Sequence, residues 1–126
     1  MVFHDACPGT ALYSYDVKTY DELHPQWYGK CVEFRVEDVL GQNKNIVRDI
    51  TKYSGKVFLY CDNGDKVREV RNYAPFLKSG DLLGFHDYPN EITPEVVSEE
   101  LKDFEPHTIN KWLETNNCSD RFYIRL

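Results

Sequence analysis

Short apolar runs alternate with stretches of helical periodicity along this 126-residue chain. Five of the runs have the length and the β-branched or aromatic content of strands. They predict strands at residues 12–17, 31–36, 57–61, 82–86 and 121–126. The run at 57–61 is almost wholly apolar, which is typical of a strand that is buried on both faces.

Apolar residues at helical spacing predict two helices in the middle of the chain. The face of the first comprises Ile46, Val47, Ile50 and Tyr53. Asn43 is the expected cap of this helix and Gly55 its expected stop. The face of the second comprises Val67, Val70, Ala74 and Leu77. In the turn before it, Gly64 is expected to adopt a positive φ, and Asp65 is expected near the helix start.

Two further helices are predicted in the last third of the chain. Thr93 and Pro94 combine a capping hydroxyl with a proline in the first turn, so a helix is expected from there to about Phe104. Another is expected to begin near Pro106 and to be ended by Asn116-Asn117, whereas segment 19–28 holds a short helix at most. Strands that alternate with helices predict an α/β fold: a single domain with one mostly parallel sheet flanked by helices.

Composition narrows the class of protein. Hydrophobic residues make up 41% and charged residues 29% of the chain, as in a soluble globular domain, and no apolar run approaches membrane-spanning length. The net charge is −6 and no Lys/Arg cluster stands out, which disfavours a nucleic-acid partner. The four cysteines fit no zinc spacing, and Cys31 and Cys61 lie within apolar runs, which is typical of buried free thiols. We therefore expect a reducing compartment and a cytoplasmic location.

Four of the apolar runs end on an aspartate: Asp16, Asp38, Asp62 and Asp87. If these runs are parallel strands, the four carboxylates lie along one edge of one sheet, which is where open α/β sheets bind ligands. Asp16 could then accept hydrogen bonds from two ribose hydroxyls. Aspartate is also common in turns, so each of the four could instead be a turn or capping residue.

Two of these strand ends carry further polar residues. Residues 62–66 (DNGDK) are similar to the start of an EF-hand loop, but the distal glutamate is missing, which favours a tight strand-to-helix turn. His86 and Asp87 form a candidate base or an oxygen-rich metal site, unless they only turn the chain into Pro89. A phospho-receiver domain also clusters acids at strand ends, but the lysine-proline pair expected after its last strand is replaced here by Tyr88-Pro89.

Three segments carry a family resemblance: residues 56–66 (KVFLYCDNGDK), 72–81 (NYAPFLKSGD) and 84–88 (GFHDY). Together they resemble class I S-adenosylmethionine-dependent methyltransferases, above all small bacterial and phage members. Residues 14–16 (SYD) and 36–38 (VED) are similar to the ends of the second and third strands of that family. The resemblance implies a Rossmann-like fold.

On the cofactor side, the resemblance implies that Asp16 binds the ribose hydroxyls of S-adenosylmethionine. Glu37 and Asp38 would flank its adenine.

On the reaction side, the resemblance implies that Asp62, His86 and Asp87 are catalytic. Asp62 and Asp87 match positions that hold a divalent metal such as Mg²⁺ in metal-dependent relatives. An asparagine of those relatives is replaced here by Tyr88. In place of a metal site, His86 or Tyr88 would orient the hydroxyl of a small-molecule or glycan acceptor.

One part of the family pattern is absent from the sequence. These enzymes begin with a strand and a glycine-rich loop, and residues 1–11 match neither. The chain is therefore expected to be an N-terminally shortened member or a fragment. It would be either a methyltransferase or a catalytically inactive relative that serves as a binding or assembly module. A missing central strand would expose apolar surface or a sheet edge, so a homo-oligomer is expected.

Overall fold

The computed structural model of the protein describes residues 11–16 and 32–126. The chain divides into two compact units, Met1–Val39 and Leu40–Leu126, and each is considered by itself. The described residues form four α-helices and two sheets, which confirms the predicted α/β class. None of the described helices is long and apolar enough to cross a membrane.

The described residues of the first unit, 11–16 and 32–39, form two strands, β1 (Leu12–Asp16) and β2 (Val32–Val36). They pair in parallel along their whole length. Beyond the strands, the backbone N–H of Glu37 donates to the carbonyl of Asp16 at 2.8 Å, so the pairing continues past the last ladder position. The short helix considered within segment 19–28 lies outside the described residues.

The second unit contains four strands and four helices. In chain order they are α1 (Lys44–Thr51), β3 (Phe58–Cys61), α2 (Lys66–Tyr73), β4 (Leu82–Phe85), α3 (Ser98–Leu101), β5 (Phe104–Pro106), α4 (Ile109–Thr115) and β6 (Arg121–Arg125). A 3₁₀ turn, Ala74–Phe76, extends α2. Pro75 explains why the predicted helical face does not continue as an α-helix, because proline lacks an N–H and restricts the residue before it.

The strands of the second unit are ordered β3-β4-β6-β5. β3 and β4 are parallel, whereas β6 is antiparallel to both β4 and β5. The described strands thus form two sheets, the larger of them mixed, where one mostly parallel sheet was expected. Apolar periodicity marks a strand but not its direction, so the pattern could not distinguish β6 from a parallel strand.

The region after β4 is less helical than predicted. Residues 94–97 form turns, and α3 is only four residues long, so the prediction of a helix from Thr93 to about Phe104 is wrong for most of its length. Phe104 instead belongs to β5, where it pairs with Arg125. Pro106 contributes to this outcome, because the residue before a proline is pushed out of the helical region.

Both predicted helix starts in the middle of the chain are confirmed. The side chain of Asn43 accepts hydrogen bonds from the backbone of Asn45 and Ile46 at the start of α1. The carboxylate of Asp65 accepts the backbone N–H of Arg68 at 2.9 Å and caps α2. Since such caps satisfy N–H groups that the helix itself leaves unpaired, each cap contributes on the order of 1 kcal/mol.

Positive φ values occur at other positions than the one predicted. Gly64 does not adopt one, so that prediction is wrong. In the described residues, positive φ occurs at Gly80 (83°), Asp87 (61°) and Asn117 (54°). Asn117 follows α4 and ends it, as expected from the sequence. Asp87 is of more interest, because its left-handed backbone turns the chain directly after β4.

β4 and α2 form the centre of the core of this unit. Leu83 and Phe85 of β4 and Val70 and Tyr73 of α2 are almost completely buried. β3 is more exposed than its apolar run predicted, since Phe58 keeps 38% of its surface exposed. The reason is its position: β3 is an edge strand of the described sheet, whereas β4 has a neighbour on each side.

Gly84 lies in the middle of β4, opposite Tyr60 of β3 and Phe122 of β6. The two rings stack across it with their centroids 6.3 Å apart. A Cβ at position 84 would lie 2.7 Å from Cε1 of Phe122 and 2.9 Å from Cδ2 of Tyr60. Glycine is therefore required here by the close approach of two aromatic side chains.

Candidate functional site

Three of the predicted site residues meet at the carboxyl ends of β3 and β4. Asp62 follows β3, and His86 and Asp87 follow β4. The backbone N–H of His86 donates to the carbonyl of Cys61 at 3.2 Å, which keeps the two strand ends in register. Each side chain offers one ligand atom, and these atoms all lie within 4.8 Å of one another. The parallel pairing thus brings Asp62 together with His86 and Asp87, which lie 24 and 25 positions later in the sequence.

Asp62 is held by a turn that Glu69 organises from α2. The Glu69 carboxylate accepts the backbone N–H of Asn63 at 2.9 Å and its side-chain amide at 3.1 Å. Glu69 is only 4% exposed. Burial raises the pKa of Glu69, while the hydrogen bonds from Asn63 act in the opposite direction. Sequence reasoning missed Glu69, because an acid on a helix normally faces solvent.

Asp87 is oriented by its backbone and by Lys66. Its left-handed conformation (φ 61°) is one that aspartate tolerates better than most residues. The carbonyl of Asp87 accepts the backbone N–H of Glu91 at 2.9 Å. Its carboxylate lies 2.7 Å from the ammonium of Lys66, and that hydrogen bond lowers the pKa of Asp87.

Lys66 is the buried cation of the site. It is the first residue of α2 and is 5% exposed. Its Nζ lies 2.7 Å from Oδ2 of Asp87, 2.7 Å from Oε2 of Glu91 and 3.8 Å from Oδ1 of Asp62. Burial disfavours the charged form, but the hydrogen bonds with Asp87 and Glu91 outweigh it and raise the pKa of Lys66. Lys66 therefore stays an ammonium ion among three carboxylates.

His86 lies between two carboxylates. Its Nδ1 is 3.1 Å from Oδ1 of Asp120, and its Nε2 is 3.4 Å from Oδ1 of Asp87. The hydrogen bond with Asp120 raises the pKa of His86, partly opposed by burial. The hydroxyl of Tyr60 donates to the same Asp120 oxygen. Burial and then this contact raise the pKa of Tyr60, so the phenol keeps its proton.

Asp120 was not predicted as a site residue, although its position directly before a predicted strand could have indicated one. It directly precedes β6, whose first residue, Arg121, pairs with Phe85 at the end of β4. Because β6 is antiparallel, its beginning lies at the edge where the parallel strands end. A search for acids after strands finds Asp62 and Asp87 but passes over an acid that comes before a strand.

Tyr88 packs against Arg121. The guanidinium of Arg121 lies 4.0 Å from the ring centroid of Tyr88. The same guanidinium donates to the carbonyls of Cys118 and Asp120. Arg121 thus fixes the segment that carries Asp120, and Tyr88 covers it. The role of Tyr88 in orienting an acceptor stays a prediction.

The three acids predicted for the cofactor belong to the first unit. Asp16 ends β1, and Glu37 and Asp38 follow β2. The hydrogen bond from Glu37 to Asp16 joins the two strand ends. Asp62 and Asp87, in contrast, follow strands of the four-stranded sheet. The four aspartates expected on one edge are therefore divided between two sheets.

Comparisons with known proteins do not assign a family to this arrangement. No family model matches this chain, and no curated protein or solved structure matches it either. The function is therefore inferred from the residues at the strand ends and from their contacts.

Proposed function

We propose that this protein binds S-adenosylmethionine and transfers its methyl group to a hydroxyl of a small-molecule or glycan acceptor. The observation that carries the proposal is the cluster of Asp62, His86 and Asp87 within 4.8 Å at the carboxyl ends of a parallel strand pair. That edge is the general ligand-binding position of open α/β sheets.

The strand pairing supports the Rossmann-like fold that belongs to this proposal. The doubly wound order is 3-2-1-4-5-6, in which strand 1 separates the pair 3-2 from the pair 4-5. The resemblance assigns β1 and β2 to positions 2 and 3, and β3 and β4 to positions 4 and 5. β1 pairs with β2 in the first unit, and β3 pairs with β4 in the second, both in parallel. The described pairings agree with that assignment.

The proposed chemistry needs a base and a fixed geometry more than a strong nucleophile. S-adenosylmethionine supplies a methyl group on a sulfonium, and its transfer to oxygen leaves the electron pair of the broken S–C bond on sulfur. His86 accepts the hydroxyl proton of the acceptor through Nε2. Asp120 holds the imidazole through Nδ1 at 3.1 Å and stabilises the imidazolium that forms.

The acids of the first unit have the cofactor role in the proposal. Asp16 accepts the ribose hydroxyls, and Glu37 and Asp38 lie beside the adenine, as the resemblance implies. A carboxylate at the end of a parallel strand is suited to ribose, because its two oxygens can accept from two neighbouring hydroxyls. The position of Asp16 at the end of β1 supports this role.

Calorimetric titration of the full chain with S-adenosylmethionine and S-adenosylhomocysteine tests the proposal. Both are expected to bind, and Asp16→Asn is expected to weaken binding by about tenfold, the effect of one lost charged hydrogen bond. Glu33→Gln is the matched control, since it removes an acid of β2 that is paired with Arg35 and should leave binding unchanged. Folded protein that gives no heat with either ligand at about 1 mM would contradict the proposal.

A second candidate function is a catalytically inactive relative that serves as a binding or assembly module. Two apolar side chains on one face of α4 favour it: Ile109 is 40% and Trp112 is 58% exposed. Such a module is expected to be oligomeric, with Trp112 in the contact. Light scattering distinguishes the candidates, because a strictly monomeric protein that binds S-adenosylhomocysteine fits only the enzyme.

A further inference from the structure

The carboxylates of the site already surround a cation that the chain itself provides. Asp87 and Glu91 each contact the ammonium of Lys66 at 2.7 Å, and Asp62 lies 3.8 Å from it. Lys66 is 5% exposed, so its ammonium is held in place rather than extended into water. Few lysines are buried to this degree unless they are paired.

Lys66 also occupies an unfavourable position in its helix. Lys66 is the first residue of α2, where the helix dipole is positive and disfavours a cation. The ammonium of Lys66 contacts the carboxylates of Asp62, Asp87 and Glu91, and the carboxylate of Asp65 caps the helix. The carboxylates offset the unfavourable placement, which links Lys66 to the site rather than to the stability of the helix.

A divalent metal shared by Asp62 and Asp87 does not fit these residues. Mg²⁺ and similar ions require carboxylate oxygens at about 2.0–2.6 Å from the metal. Oδ2 of Asp87 is engaged by Lys66, and Oδ1 faces Nε2 of His86 at 3.4 Å. An ion bridging the two aspartates would lie beside a buried ammonium, and the two positive charges would repel each other.

We propose that Lys66 is the resident cation of the site: its ammonium bridges Asp62 and Asp87 where a divalent metal would otherwise bind, and the site works without a metal. Lys66 thereby fixes the carboxylate of Asp87 and leaves His86, held by Asp120, as the group that accepts the proton. The inference rests on the proposed function only in naming this edge the reaction side.

Mn²⁺ binding to the full chain, measured by electron paramagnetic resonance without any cofactor, tests the inference. The wild-type protein is expected to show no saturable binding up to about 1 mM Mn²⁺, the weak limit for protein sites. Lys66→Met removes the ammonium but keeps the apolar stem, and it is expected to bind one Mn²⁺ at least about tenfold more tightly. Adding Asp87→Asn to that variant should abolish the gain.

Lys78→Met is the matched control, because it removes another lysine that is paired with an aspartate, Asp81, at 3.7 Å. It should leave Mn²⁺ binding unchanged. Wild-type binding below about 100 µM that Asp62→Asn abolishes would overturn the inference, as would folded Lys66→Met that gains no Mn²⁺. Should Lys66→Met fail to fold, Lys66→Gln serves in its place. The proposed function is tested separately by the calorimetry with S-adenosylhomocysteine, so the two failures are distinguishable.

Discussion

β4 has an aspartate near each of its ends, and the two have opposite environments. Asp81 precedes the strand and is completely buried. Its carboxylate accepts the backbone N–H of Val57 and that of Lys78, both at 2.9 Å. Asp87 follows the strand, and its side chain is 34% exposed with ion-pair contacts to Lys66 and His86. Asp81 therefore stabilises the backbone, whereas Asp87 places a negative charge at the protein surface.

The difference between the two aspartates shows that the two edges of this sheet use carboxylates for different purposes. At the edge where β3 and β4 begin, a buried carboxylate satisfies backbone donors that would otherwise be unpaired. At the edge where they end, carboxylates interact with side chains that can also contact a ligand. The stretch 72–81, which carries much of the family resemblance, therefore contributes a structural residue in Asp81, and the residues of the proposed chemistry lie after β4.

The largest effect is expected from a substitution of Asp81, at the beginning of β4. Asp81→Asn replaces one of two acceptor oxygens with an amide donor, so a buried backbone N–H loses its partner. We expect a loss of about 2 kcal/mol in the free energy of unfolding, measured by urea denaturation. Asp87→Asn is the matched variant at the other end of β4 and should cost clearly less, because its carboxylate is partly solvated. Equal losses would contradict the contrast between the two ends.

A smaller effect concerns the proton affinity of His86. Because the hydrogen bond with Asp120 raises the pKa of His86, Asp120→Asn should lower that pKa toward the ordinary value of 6.5. NMR titration of the imidazole measures it. Tyr60→Phe is the control, since it removes the other partner of Asp120 and should leave the pKa of His86 raised.

The raised pKa of His86 also makes the stability of the protein depend on pH in a defined direction. A raised pKa in the folded state means that His86 contributes stability below about pH 6.5, and that this contribution is lost as the pH rises through the raised pKa. In Asp120→Asn this part of the pH dependence should flatten. An unchanged profile in that variant would show that Asp120 does not act on His86.

The smallest effect is expected at acid pH. Lys66 lowers the pKa of Asp87, so Asp87 contributes stability above its ordinary value of 3.8 that is lost as the pH falls through the lowered pKa. Asp87→Asn should remove this part of the acid transition, followed by circular dichroism. Asp103→Asn, which affects an exposed partner of Arg125, should retain it.

Local features of the fold could be predicted from the sequence, because they depend on neighbouring residues. The bounds of β3 and β4 agree with the apolar runs to within one residue, and the caps Asn43 and Asp65 were identified by residue type and position. Asp62, His86 and Asp87 were found because an acid after an apolar run has a known meaning in α/β sheets.

The partners of those residues could not be predicted, because they come from distant elements. Asp120 depends on the direction of β6, which no periodicity reports. Lys66 has the sequence appearance of a surface lysine at a helix start, and only the fold brings Asp87 and Glu91 to it. Glu69 differs from these two, because its partner Asn63 is only six residues away, and it was missed because nothing in the sequence shows that its side chain is buried.

The space that Gly84 leaves in β4 links the interior of the sheet to the candidate site at its edge. The Tyr60 ring that occupies this space also carries the hydroxyl that donates to Asp120, and Asp120 holds His86. A methyl group at position 84 would displace that ring and so shift the carboxylate that sets the basicity of His86. Mutations in the middle of this sheet can therefore adjust acid–base behaviour at its edge without altering any residue that a ligand would touch.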